Sequence, residues 1–161
     1  MKRVLLVLCG ALLLWIGGRA LVHALASDET RIRWLVEDMA EGFGRTRTGA
    51  ILEGLEKGFV DETSGVDRET LRGMLAHFFL TEKDPATKRF PWRVEATIES
   101  LVVERPAATC EVLARFFELR GEEEEERPGW TIRVEGRLED GEDGWRFVRT
   151  SHETLEGRRP R

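Results

Sequence analysis

The sequence predicts an α+β domain: three N-terminal helices packed on one face of a curved antiparallel β-sheet, preceded by an export signal. Three observations carry this. Apolar residues recur at helical spacing through the first half of the chain and at every second position after about residue 90. The two patterns are segregated rather than alternating, which places helices and strands in separate layers. The opening residues follow neither pattern and read as an address rather than as fold.

Met1-Lys2-Arg3 is a short basic start, Val4 to Ile16 is apolar without a charge, and Ala24-Leu25-Ala26 has the small-x-small spacing that a signal peptidase reads. Residues 1–26 are therefore expected to be a signal peptide, 27–157 the domain and 158–161 a basic tail. The alternative is an uncleaved anchor over residues 4–26, facing outward, with Arg19 snorkelling to the interface. The apolar run is short against the roughly 20 residues that a spanning helix needs. The expected compartment is the periplasm or the extracellular space.

Loss of Lys2, Arg3 and Arg19 with the signal leaves 22 of the 25 basic residues against 30 acidic ones, a net charge of −8. That opposes binding to nucleic acid or to an anionic membrane surface. Loss of Cys9 leaves Cys110 alone, so neither an internal disulfide nor a cysteine-based zinc site can form.

Ser27 or Asp28 can cap a first helix carrying Ile32, Leu35, Val36, Met39 and Phe43, ended by Gly42 and Gly44. Thr48 can cap a second, short helix with Ile51, Leu52, Leu55 and Phe59 on one side. Asp61 to Gly65 is a turn, and Asp67 caps a third helix with Leu71, Met74, Leu75, Phe78 and Phe79 in one stripe. From Trp92 the period is two: Trp92, Val94, Ala96 and Ile98, then Trp130, Ile132, Val134 and Leu138, alternate with polar neighbours, as in antiparallel strands with one wet face. Residues 107–120 are apolar on both sides and read as a central strand. Asp140-Gly141 and Asp143-Gly144 mark a tight connection into a closing strand.

Three stretches taken together carry a resemblance. Leu55-Glu56-Lys57-Gly58-Phe59-Val60-Asp61-Glu62-Thr63-Ser64-Gly65, the helix from Val66 to Leu80, and Asp143-Gly144-Trp145-Arg146-Phe147-Val148 resemble, in order and spacing, the nuclear transport factor 2-like superfamily. That superfamily includes polyketide cyclase-like and ketosteroid isomerase-like domains. The resemblance spans about residues 27–157. It implies a cone-shaped, cystatin-like fold with a pocket in the concave face, Asp61 near its mouth, and a homodimer built on the outer face of the sheet. Isomerases of this superfamily depend on tyrosine hydroxyls beside an aspartate, and this sequence contains no tyrosine.

Phe59, Asp61, Phe78, Trp130 and His152 are the candidate pocket residues. Phe59, Phe78 and Phe79 are expected to face the same interior as Trp130 and Ile132. Neighbouring strand residues point to opposite faces, so Ser151-His152-Glu153 is not a triad by adjacency. His77 lies off the apolar stripe of its helix. Two separated histidines with no ligand-spaced carboxylate make no metal site, and the run Glu122 to Glu126 reads as a solvated hairpin tip. No cofactor is implied. The reading is an exported, non-enzymatic domain that binds a small apolar ligand or a protein. The alternatives are a lyase, isomerase or cyclase using Asp61 or His152, and a membrane-anchored assembly subunit. Intact-mass measurement on protein from its native envelope is expected to find a chain that begins at Ser27. A full-length species held in the membrane would instead support the anchor.

Overall fold

Ser27 sets the first boundary. Its extended backbone and its Oγ, which accepts from the Thr30 amide at 3.3 Å, cap helix α1 (Asp28–Gly44). Asp28 and Glu29 sit in the first turn, where the helix dipole favours negative charge. Ile32 and Val36 are buried one turn apart, while Glu37, Asp38 and Glu41 stay in solvent. The computed structural model describes residues 26–84, 88–120, 123–124 and 128–157. Residues 1–25 of the expected signal peptide, the basic tail and all of the acidic run except the backbone of Glu123–Glu124 lie outside the described residues.

The second helix departs from expectation. Helix α2 (Thr48–Glu53) is six residues long, short of two full turns, and Thr48 is its first residue rather than its cap. Arg47 holds the cap position without a side-chain hydrogen bond. The helix stops at Gly54, and Leu55–Asp61 forms strand β1. Leu55 and Phe59 are four apart, and residues four apart share a face in a helix and in a strand alike, so their spacing did not discriminate. Gly54 is where the chain passes under α1. A Cβ there would run into the Met39 side chain, and its carbonyl accepts from the Phe147 amide at 2.9 Å.

Strand β2 (Val66–Asp67) pairs antiparallel with the end of β1. Asp67 then caps helix α3 (Arg68–Thr81), its Oδ1 accepting from the Thr70 amide at 2.7 Å. The long strands follow: β3 (Trp92–Glu104), β4 (Ala107–Arg120), the two-residue β5 (Glu123–Glu124), β6 (Trp130–Gly141) and β7 (Gly144–Gly157). The sheet order is β2-β1-β7-β6-β4-β3, with β5 paired to the end of β4. The pairs β3–β4, β4–β6 and β6–β7 are antiparallel, but β1 lies parallel to β7, with Val60 opposite Arg149 and Asp61 opposite Thr150. The sheet is therefore mixed, not antiparallel throughout. Bulges at Ile98/Ser100, Thr131/Ile132 and Arg137/Leu138 bend it.

As the sequence suggested, β4 is an interior strand. Its inner face carries Ala108, Cys110, Val112 and Ala114 into the core. Leu113 and Phe117 face outward yet are also buried. Arg93 sits 4.5 Å over the Phe117 ring, and Arg133 stands opposite Leu113. The Arg93 guanidinium thus covers Phe117 within the monomer.

Two apolar layers fill the space between helices and sheet. The larger joins Ile32, Val36, Leu52, Leu55 and Phe59 to Val112, Leu138, Trp145 and Phe147. The smaller is aromatic: Phe43 lies with ring centroids 5.5 Å from each of Phe79, Phe90 and Phe116, and Phe78 packs beside them. Gly136 is bare because the Phe147 ring lies on its backbone, where a Cβ would clash.

One polar lock ties the layers together. Arg105, in the β3–β4 turn, donates from Nε and Nη2 to the two oxygens of Asp28, each at 2.6 Å. Trp145 Nε1 donates to Asp28 Oδ1 at 3.2 Å. The first turn of α1 is thereby fastened to the tips of two hairpins. The Arg105 hydrogen bonds, reinforced by Trp145 and by nearby positive charge, hold the Asp28 carboxyl down to about 2, against the upward push of burial.

A carboxyl whose folded pKa is depressed contributes stability that is present above its unfolded pKa and lost as pH falls through the folded one. The lock should therefore weaken between about pH 4 and pH 2. Thermal melts across that range are expected to show an acid-side loss of stability. Asp28→Asn should lower stability at pH 7 by roughly 1–2 kcal/mol, allowing for the exposure of Arg105. It should also flatten that acid-side slope. An unchanged slope in the variant would remove the lock as its cause.

Candidate functional site

Between α1, α3 and the inner face of the sheet lies an open hollow of about 260 Å³. Small residues leave the room: Ala40 on α1, Ala96 on β3 and Ala114 on β4 all line it. Its remaining walls are aliphatic and aromatic, Phe59 and Ile132 among them. Thr150 is the one polar residue among the described lining residues.

Thr150 leads to the polar cluster of the inner face. The parallel β1–β7 pairing sets Asp61 beside Thr150. Thr150 Oγ1 donates to Asp61 Oδ2 at 2.8 Å, and His152 Nδ1 lies 3.2 Å from the same oxygen. The other oxygen, Oδ1, accepts from the Ser64 amide at 2.8 Å and from Ser64 Oγ at 2.7 Å. Burial pushes the Asp61 carboxyl upward, but the donors of Ser64, His152 and Thr150 outweigh it, so the group lies below its ordinary value.

This arrangement divides the roles of the two residues. With four donors on two oxygens, Asp61 is a satisfied carboxylate and a poor base. It orients the His152 ring, whose Nδ1 must carry a proton to bond an ionised carboxylate. The Asp61 side chain is 13% exposed and that of His152 31%. Thr63 fixes the backbone beneath: its Oγ1 accepts from the His152 amide at 2.8 Å and donates to the His152 carbonyl at 3.2 Å. His152 stands opposite Val134, which lines the hollow, so both side chains share the inner face.

Of the candidate residues, Phe59 forms hollow wall, and Asp61 and His152 meet beside Thr150, which lines the hollow while they do not. Phe78 lies in the aromatic layer with Phe43, Phe79 and Phe90 rather than in the wall. Trp130 stacks on Phe116 at 4.8 Å and donates from Nε1 to Thr154 Oγ1 at 3.2 Å. His77 is exposed on α3. Cys110 is buried, and burial alone pushes its thiol up to about 11, so it is a small hydrophobe rather than a nucleophile. Sequence reasoning read Asp61 as bracing its turn through Ser64 and Gly65, and it missed Thr150, which with Ser64 saturates Asp61. Thr150 became visible only with the β1–β7 pairing, whereas Ser64 stands three residues after Asp61, as in an Asx turn.

A second depression, of about 440 Å³, lies on the outer face between Glu62, Glu111, Glu135, Arg137 and Arg149. Several of its charges already find partners: Arg149 meets Glu62 at 3.1 Å, and Arg137 meets Glu139 at 3.3 Å. Among the described residues, no group of histidine, cysteine and carboxylate side chains converges as a metal site.

No protein-family model matches the chain, and no curated protein matches it at a significant level. Solved structures do. The chain is similar to a domain of unknown function with a cystatin-like fold from Nostoc punctiforme, at 16% identity and TM-score 0.62, over 80% of this chain and 78% of that one. It is similar to a nuclear transport factor 2-like protein from Novosphingobium aromaticivorans, at 14% identity and TM-score 0.62, over 89% and 90% of the two chains. It is also similar to a ketosteroid isomerase-like protein from Erwinia carotovora atroseptica, at 13% identity and TM-score 0.56, over 78% and 94%. At such identities the likeness carries no activity across. It does establish the architecture: this chain has the cystatin-like, nuclear transport factor 2-like fold.

Proposed function

We propose that this is an exported domain that holds a small apolar ligand in the hollow between its helices and its sheet, without chemistry on it. The observation that carries this reading is the wall, which is apolar except for Thr150. A volume of about 260 Å³ falls just below the roughly 300–1,000 Å³ of sites for drug-sized molecules. Binding there would rest on buried apolar area, at about 25 cal/mol per Å².

The Asp61–His152 pair supports a second reading, a small lyase or isomerase with His152 as base. Two features weigh against it. Asp61 is saturated by hydrogen bonds and Thr150 spends its hydroxyl proton on it. Acid–base catalysis of that kind also needs a donor to stabilise developing charge, and the described wall offers no free one.

Filling the hollow separates binding from mere surface adsorption. Wild type should enhance the emission of Nile red, a neutral apolar dye, and small aromatic hydrocarbons should displace it. Ala114→Phe should lower the affinity for those hydrocarbons at least tenfold, while circular dichroism shows the fold intact. Affinity that survives in the folded variant would place the binding elsewhere. The enzymatic reading predicts a turnover that Asp61→Asn or His152→Ala abolishes.

The partner we propose is a second copy, paired through the outer face. Both signs of charge stand there in rows, with Glu62, Glu111 and Glu135 among Arg137 and Arg149, so the face is complementary to itself. Multi-angle light scattering at high micromolar concentration should give twice the chain mass. A clean monomer would exclude the pairing.

A further inference from the structure

We infer that the ligand of the hollow is an apolar body bearing one hydroxyl group, which donates its hydrogen bond to Nε2 of His152. The inference rests on the apolar-ligand reading above and adds the chemistry of one end of that ligand.

The argument begins with Asp61. Its carboxylate accepts from four donors, and His152 Nδ1 is one of them. In the neutral ring the proton is therefore on Nδ1, and Nε2 carries a bare lone pair. No protein donor meets Nε2 among the described residues, and nearly a third of the side chain is open. The backbone of His152 is fixed on both sides of the residue, by Thr63 Oγ1 and by the pairing with Val134. A fixed acceptor that no described protein donor meets thus stands on the inner face, opposite Val134 and two residues along β7 from Thr150, the one polar residue of the hollow's described lining.

A carboxylate would fit less well than a hydroxyl. Such a ligand would bring a second negative charge close to Asp61, and its desolvation inside an apolar hollow would be met by no donor while Nε2 carries a lone pair. A hydroxyl loses far less on desolvation and supplies the proton that neutral Nε2 lacks. The apolar remainder then covers Phe59, Ile132 and the alanines. The hollow has the volume of roughly nine water molecules at about 30 Å³ each, which suits one small ring with a short chain.

The charged surroundings of His152 are few. From β1 comes Asp61. From the following turn comes Glu62, which is tied to Arg149 at 3.1 Å. Facing it from β6 are Val134 and Gly136, which carry no charge. Helix α1 meets β7 at its opposite end, through Asp28 and Trp145.

Calorimetric titration with 4-propylphenol and with its methyl ether tests this. Both probes are neutral at pH 8. At pH 8 wild type should bind the phenol roughly threefold to tenfold more tightly than the ether, the value of one net hydrogen bond. His152→Val should bring the ratio near one. In wild type, nitrogen NMR of the imidazole should show Nε2 shifting with the phenol and not with the ether, a readout that does not require the variant to fold. Equal affinities at pH 8, a preference that survives His152→Val, or an unmoved Nε2 resonance would overturn the inference alone. Failure of both probes to bind would overturn the apolar-ligand reading with it.

Discussion

The parallel pairing of β1 with β7 governs the rest of the molecule. A strand placed between α2 and α3 must return to the sheet, and it does so beside the last strand in sequence, 89 residues away at the Asp61–Thr150 contact. That single registration has three effects. It closes the hollow along one edge with Leu55 and Phe59. It carries the Asp61 turn onto the inner face, where Ser64, Thr150 and His152 converge on one carboxylate. It also hangs α3 at an angle set by Asp67, so that Leu75 and Phe79 reach the aromatic layer. Parallel pairing needs a long crossover, and here nearly the whole fold serves as one.

The hollow survives because its two sides are held apart by different means. At one end the Phe43, Phe78, Phe79 and Phe90 rings meet mostly edge to face, an arrangement that fills space without collapsing. At the other end Asp28 is clamped between Arg105 and Trp145, which fastens α1 to the hairpin tips. Between these fixed points the wall is built of alanines as well as larger side chains, and apolar atoms there lack partners across the gap. Lost dispersion contacts of that kind destabilise a dry cavity, so an apolar ligand would restore contacts that the protein alone does not make.

The outer face solves a different problem. An interior strand such as β4 presents apolar side chains on both sides of the sheet, and one side has no helix over it. The Arg93 guanidinium lies over Phe117, Arg133 stands opposite Leu113, and carboxylates meet guanidinium groups there, as Glu111 meets Arg133 at 2.6 Å. Such a surface is apolar beneath and charged above. It resists non-specific adhesion while leaving paired charges that a matching surface can exchange.

Periodicity made the helices and the four long strands legible, because each buries one face and the sequence must repeat with the geometry that buries it. Ser27 and Asp67 were readable as caps, since a short polar side chain before an apolar stripe satisfies amides that the helix cannot. Asp61 and His152 stood out as separate residues of unusual chemistry. Their meeting was not legible, nor was the strand that causes it. Leu55 and Phe59 share a face in either conformation, and local spacing holds no information about a partner strand 89 residues further on. Composition and pattern by themselves determined the layers, their order and the apolar character of the interior, because these follow from burial alone. Only the tertiary structure decided that Asp61 is saturated and His152 left with a free nitrogen, because hydrogen bonding at that site depends on which strands lie side by side.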